Sequence, residues 1–232
     1  MTIWDNHPIN KCMLQVCSWN ASIILKILNW KVVYNKYGNN PAISSQNLRK
    51  YKNIVCVSVH TSVWDAFLLL LLSFREKLPM IGAAKYELFW GPFGYVMRYL
   101  GMFPIYWDKK GMNTTQQIID IMKNSDQQQF FCVFPEGSRW KDRWRTSFSI
   151  VASALDCPIL TVGVDFEKKI ICPYTLVNPS TDAQETVEKI KEDLYPFVPK
   201  YPDCTDLITR RNDNKKLIIT KSGNLLVVSK VF

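Results

Sequence analysis

Histidine is almost missing from this chain. There are two among 232 residues, His7 and His60, and they lie far apart. That argues against a histidine-built metal centre, so no metal ligand set is expected. The seven cysteines form no C-x-x-C pair, which removes the usual zinc and dithiol readings. Cys56 and Cys132 fall inside apolar strand candidates and read as reduced core thiols of a cytosol-facing protein. No stretch reaches 18 consecutive apolar residues, so an ordinary transmembrane span is not expected. Residues 1–11 lack the basic start and apolar run of a secretory leader. Internal repeats and low-complexity runs are also missing. Basic residues outnumber acidic ones, 29 to 20, for a formal net charge of +9. They are scattered in pairs such as Lys109-Lys110, Lys168-Lys169, Arg210-Arg211 and Lys215-Lys216. Without a basic tail, a recognition helix or a zinc-finger pattern, no nucleic-acid partner is expected. An anionic membrane or an anionic small molecule remains as the partner that suits the charge.

What is present is enough apolar sequence, 47%, to bury one good core. Strand-like runs occur at 54–59, 79–83, 102–106, 129–134, 158–164 and 168–173. Helical patterns lie between and after them, at 63–76, 92–100, 114–123, 146–155 and 182–194. The alternation predicts an α/β fold, a largely parallel mixed sheet flanked by helices. Residues 39–46 are polar and loop-like and separate an N-terminal element from this core. Residues 217–232 have the pattern of a hairpin turning at Ser222-Gly223-Asn224. Over residues 13–30, Gln15, Ser18, Ser22, Lys26 and Asn29 form one polar stripe on a helix that is otherwise apolar apart from Asn20. Such an amphipathic helix either packs on the core or lies in a membrane interface, where Trp19, Trp30 and Lys26 are at home.

Two segments carry candidate chemistry. His60-Thr61-Ser62-Val63-Trp64-Asp65 joins a β-branched strand to a leucine-rich helix. It therefore places an imidazole and a carboxylate at the carboxyl end of a strand, where α/β folds bind ligands. A His–Asp pair there can work as a general base and its orienting carboxylate. Ser62 and Asp65 also have the spacing of a capping box, which needs no catalysis. The second segment, Phe134-Pro135-Glu136-Gly137-Ser138-Arg139, follows another apolar strand and should share that edge. Its Pro and Gly fix a turn presenting Glu136 and Arg139. Arg139 there can grip a phosphate through two hydrogen bonds. The alternative is a turn closed by a surface ion pair. Residues 139–145, basic with interleaved Trp140 and Trp144, read as a solvated turn or as a contact for lipid headgroups.

This order of segments resembles the glycerolipid acyltransferases of the lysophosphatidic acid acyltransferase type. The resemblance spans about residues 54–166. It rests on H-x-x-x-x-D at His60 and Asp65, the lysine-bearing segment at Lys85, F-P-E-G-S-R at Glu136, Gly137 and Arg139, and the Pro158 strand. It implies a glycerol-phosphate acyltransferase-like fold and His60 and Asp65 as catalytic residues. It also implies that Glu136, Gly137, Arg139 and Lys85 bind the acceptor. The implied reaction moves a fatty acyl group from an acyl-thioester to the hydroxyl of a lysophospholipid such as lysophosphatidic acid. Acyl-CoA or acyl carrier protein would be the donor, with no cofactor. The implied division is a helical membrane-interface element at 1–40 and an acyltransferase domain at 41–232, membrane-associated and facing the cytosol, with membrane lipids as partners. Three positions depart from the pattern. Val59 replaces a polar residue before the histidine, Ser147 stands where one branch often has glycine, and Trp107 replaces the arginine that binds the acceptor's phosphate. The last leaves the acceptor open, with Lys85, Lys109 or Lys110 as other sources of charge. It also keeps two rivals in view, a phospholipid transacylase and a non-catalytic lipid-binding protein with a decayed site.

Overall fold

The computed structural model describes residues 2–5, 8–34, 43–106, 113–137 and 144–202. Among these residues seven strands form one sheet. They are β1 (Lys31–Val32), β2 (Asn53–Val57), β3 (Met80–Lys85), β4 (Met102–Ile105), β5 (Gln129–Val133), β6 (Ile159–Asp165) and β7 (Ile170–Val177). Their order is β1-β7-β6-β2-β5-β3-β4. Every neighbouring pair is parallel except β6 with β7. This is the expected α/β architecture of a largely parallel mixed sheet flanked by helices.

The helices are α1 (Pro8–Ile27), α2 (Ser45–Leu48), α3 (Val63–Glu76), α4 (Gly91–Tyr99), α5 (Thr114–Lys123), α6 (Ser147–Ala154) and α7 (Ala183–Leu194), with a 3-10 turn at Tyr86–Phe89. Alternating side chains along each strand build two cores. Val55, Val57 and Phe131 face α5, α6 and α7. Ile54, Cys56 and Phe130 face α1 and α3. Central strands buried on both faces read as nearly continuous apolar runs, and each large side chain so buried contributes roughly 1.5–3 kcal/mol.

Several local expectations are corrected. The second strand of the antiparallel pair starts at Ile170, not 168, because Lys168 and Lys169 make the turn. Asp165 Oδ1 accepts from the Lys168 N–H at 2.8 Å, and Lys169 sits at φ 52°. Ser45 and Gln46 are helical rather than loop, since the Ser44 hydroxyl caps α2 by accepting from the Asn47 N–H. The N-terminal helix runs from Pro8 to Ile27 rather than 13 to 30. Proline suits a first helical turn, and Asn29 at φ 59° closes the other end. The predicted tail hairpin, residues 217–232, lies outside the described residues.

The outer surface of α1 is the least expected feature. Ser18 faces inward, its hydroxyl donating to the Arg75 carbonyl at 3.2 Å, and Ala21 and Leu25 are buried against the α3 layer. Lys77, which caps α3 in the left-handed region, donates to the Gln15 side chain. The large apolar residues Ile9, Met13, Val16, Trp19, Ile23 and Ile27 are instead exposed. The helix packs through Ser18, Ala21 and Leu25, with Leu14, Cys17 and Ile24 partly buried against the same core, and shows a second apolar stripe outward. Among the described residues no helix is long and apolar enough to cross a membrane.

Candidate active site

The strand register assembles the site. Val57 of β2 pairs with Val133 of β5, so His60 and Glu136, each three residues further on, leave the sheet side by side. Lys85 ends β3, the neighbour of β5 on its other side, and is exposed at the same edge. His60, Asp65, Glu136, Gly137 and Lys85 therefore share the carboxyl edge of the parallel strands. Arg139, Trp107, Lys109 and Lys110 lie outside the described residues.

His60 Nδ1 lies 3.6 Å from Asp65 Oδ2. That is longer than a hydrogen bond and suits an ion pair once the imidazole is protonated. The histidine side chain is 19% exposed and the aspartate 2%, so the imidazole can meet a substrate and the carboxylate cannot. Nδ1 is the buried nitrogen, which leaves Nε2 for the substrate side. The ring stacks on Phe134 at 4.2 Å between centroids and 22° between planes.

Asp65 does two jobs at once. Its Oδ2 accepts from the backbone N–H groups of Thr61 at 2.7 Å and Ser62 at 2.6 Å, and its Oδ1 accepts from the Ser62 hydroxyl at 3.2 Å. The capping box is real, and the same carboxylate faces His60. The catalytic and the capping readings are not exclusive.

Glu136 is fully buried and neither carboxylate oxygen has a hydrogen-bond partner. Burial pushes its carboxyl up to about 7, and the Asp65 charge adds to the rise. The His60 backbone N–H and the Trp144 indole face it and hold the shift down, neither in hydrogen-bonding geometry. Glu136 thus sits behind the His60 loop rather than in the open. The sign for stability follows. Ionising a group whose folded value is raised costs stability. That cost is absent below about pH 4.5 and complete above about pH 7, at on the order of 3 kcal/mol. Glu136→Gln should therefore melt progressively higher than the native protein as pH rises through that window. Melting curves for both across the window check this, and a constant difference would place the carboxyl in contact with water.

Gly137 adopts φ +67°, a left-handed conformation that side chains resist, and its N–H donates to the Phe134 carbonyl at 3.0 Å. A Cβ here would also lie 3.2 Å from Arg145 Nε. Arg145 donates its backbone N–H to the Pro135 carbonyl at 2.9 Å. Sequence reading missed the placement of Phe134, Trp144 and Arg145. The signal was there in the aromatic first position of the F-P-E-G turn and in the basic-tryptophan stretch, but not the direction those side chains take. Cys56 is paired across the sheet with Cys132 and buried, and both effects push its thiol well up. Burial pushes Cys157 up to about 12. Neither supplies a thiolate.

A parallel sheet with a His–Asp pair at its carboxyl edge, backed by a Phe-Pro-Glu-Gly turn, is suited to moving a proton from a hydroxyl as that hydroxyl attacks. The chain belongs to the Acyltransferase family, which it matches over residues 42–165, more than half of its 232 residues. Its fold is shared with the 1-acyl-sn-glycerophosphate (LPA) acyltransferase PlsC from Thermotoga maritima. The two align with a TM-score of 0.57 and 19% identity over 79% of this chain and 77% of that one. No curated protein matches the sequence.

Proposed function

We propose that this acyltransferase carries a fatty acyl group from acyl-CoA or acyl carrier protein to the free hydroxyl of a lysophospholipid such as lysophosphatidic acid. The observation that carries the reading is the His60–Asp65 pair. A partly exposed imidazole is backed by a buried carboxylate at the edge of the parallel strands. His60 Nε2 takes the hydroxyl proton while the oxygen attacks the thioester carbonyl. Asp65 stabilises the imidazolium that forms. When the tetrahedral intermediate collapses, the C–S bond breaks and the imidazolium returns its proton to the leaving thiolate. No acyl-enzyme is required, and the Ser62 hydroxyl is already donated to Asp65. The N–H groups of Thr61 and Ser62 also point at Asp65, so the oxyanion must be held by other donors. Lys85 and Arg139 supply charge for the acceptor headgroup. Glu136 supports the His60 loop from behind and reaches the acceptor only if that loop moves.

A panel of lysophospholipids with differing headgroups, assayed with labelled acyl-CoA and labelled acyl carrier protein, tests the reading. Label should appear in a diacyl phospholipid with one of the two donors. Transfer only when an intact phospholipid is the donor would make the protein a transacylase, and no transfer from any donor would leave a lipid-binding protein.

The location proposed is the cytosol-facing surface of a membrane, supported by the outward apolar stripe of α1. Removing α1 is a poor test, because Ala21 and Leu25 help cover the core. Trp19→Ser with Ile23→Ser keeps that packing and strips the outer face. Co-sedimentation with anionic vesicles should show binding weakened by about tenfold or more. Activity on short, water-soluble substrates should be spared. Undiminished sedimentation would mean that α1 does not face lipid.

A further inference from the structure

Helix α4 contributes little to the core that surrounds it. Its nine residues include Phe93, Tyr95, Val96, Met97 and Tyr99 and one charge, Arg98, yet only Gly94 is buried. An apolar helix is ordinarily covered by protein or by lipid. Gly94 explains how this one is held. It closes on the preceding 3-10 turn so tightly that a Cβ would lie 2.1 Å from the Phe89 carbonyl oxygen. Arg98 adds a cation over the Phe89 ring, 5.1 Å from its centroid. The contact with the turn is made through backbone, Tyr99 packs on the core, and Phe93, Tyr95 and Val96 are turned away. Trp90 is 76% exposed and Tyr95 77%, with Leu88, Phe93 and Val96 also exposed.

The placement of this surface is informative. The 3-10 turn follows the carboxyl end of β3, so α4 begins at the edge that holds His60 and Lys85. Its last residue, Tyr99, donates its hydroxyl to Asn10 Oδ1 at 3.1 Å, and that hydroxyl lies 3.2 Å from Met13 Sδ. The Ile3 N–H donates to the Tyr99 carbonyl at 2.8 Å. Met13 belongs to the outward apolar stripe of α1, so α4 links that stripe to the catalytic edge.

We propose that the Tyr86–Tyr99 segment is a second bilayer contact, seating Trp90 and Phe93 in the headgroup region of an anionic membrane beside the active site. The inference rests on the membrane reading above and extends it to a surface that α1 does not include. Trp and Tyr favour the boundary between headgroups and acyl chains. Lys85 and Arg98 flank the aromatic cluster and outnumber its one carboxylate, Glu87, and the whole chain carries a formal charge of +9, a balance complementary to anionic lipid. A second copy of the chain would satisfy the apolar residues but would gain nothing from those cations.

The test uses the full chain and vesicles of phosphatidylglycerol with phosphatidylcholine brominated in its acyl chains. Trp90→Ser and Phe93→Ser should each weaken partitioning by roughly tenfold at an unchanged melting temperature. Trp90→Phe should lower the share of tryptophan emission that the bromines quench. The proposal is overturned, and the α1 reading stands, if these variants bind as the native chain does while the Trp19 and Ile23 variants lose binding. If none of the variants changes binding, both readings fail. If light scattering finds a dimer without lipid that Trp90→Ser makes monomeric, with vesicle binding unaltered, a second copy covers α4 and the proposal is wrong.

Discussion

His60→Ala should reduce acyl transfer by roughly a hundred- to ten-thousand-fold, the range expected for one acid–base group, while leaving the protein folded. The imidazole is partly exposed and its Nδ1 makes no hydrogen bond. Structurally, truncation loses little beyond the stacking on Phe134, worth about 1 kcal/mol. Chemically it loses the group proposed to take the acceptor proton; of the carboxylates beside it, Asp65 is closed off by its own hydrogen bonds and Glu136 is sealed behind the loop. Steady-state rates beside a melting curve separate the two effects. A variant within about tenfold of native turnover would mean that the base is another residue.

Asp65 should behave differently, because it holds structure and chemistry together. Asp65→Ala leaves the Thr61 and Ser62 N–H groups buried without the acceptor they now have, at about 1–3 kcal/mol each. It also removes the cap from α3. A large fall in melting temperature is expected along with the loss of turnover. Asp65→Asn isolates the chemistry. One amide oxygen still accepts from the loop, so stability should fall less, but an amide cannot stabilise an imidazolium. Turnover should still drop by roughly a hundredfold or more. The diagnostic result is this split, a smaller loss of stability with a similar loss of rate. An asparagine variant with native activity would reduce Asp65 to a helix cap.

Much of the fold was legible because its signals are local. The leucine-rich run after Asp65 could only be a buried helix, and α3 begins and ends where its pattern does. The β-branched run before His60 and the apolar, aromatic run before Pro135 marked β2 and β5, and the capping spacing of Ser62 and Asp65 predicted the hydrogen bonds found there. Failures came where backbone geometry outweighed composition, as at Lys169 and Asn29 in the left-handed region. Others came where an element was too short to carry a period, as with β1 and α2.

The sequence by itself determined the alternation of strands and helices, the identity of the reactive groups and the end of the strands on which they sit. Periodicity, caps and turn residues act over a few positions and need no distant partner. Only the tertiary structure decided which groups meet and which are hidden. The pairing of Val57 with Val133 brings Glu136 against the His60 loop, and burial then raises its carboxyl to about 7. The packing of α1 through Ser18, Ala21 and Leu25 turns its apolar stripe outward, a direction the helical pattern leaves open. Register and facing are set by long-range contacts between elements that say nothing about one another locally, so a residue's chemistry can be read from the chain while its surroundings cannot.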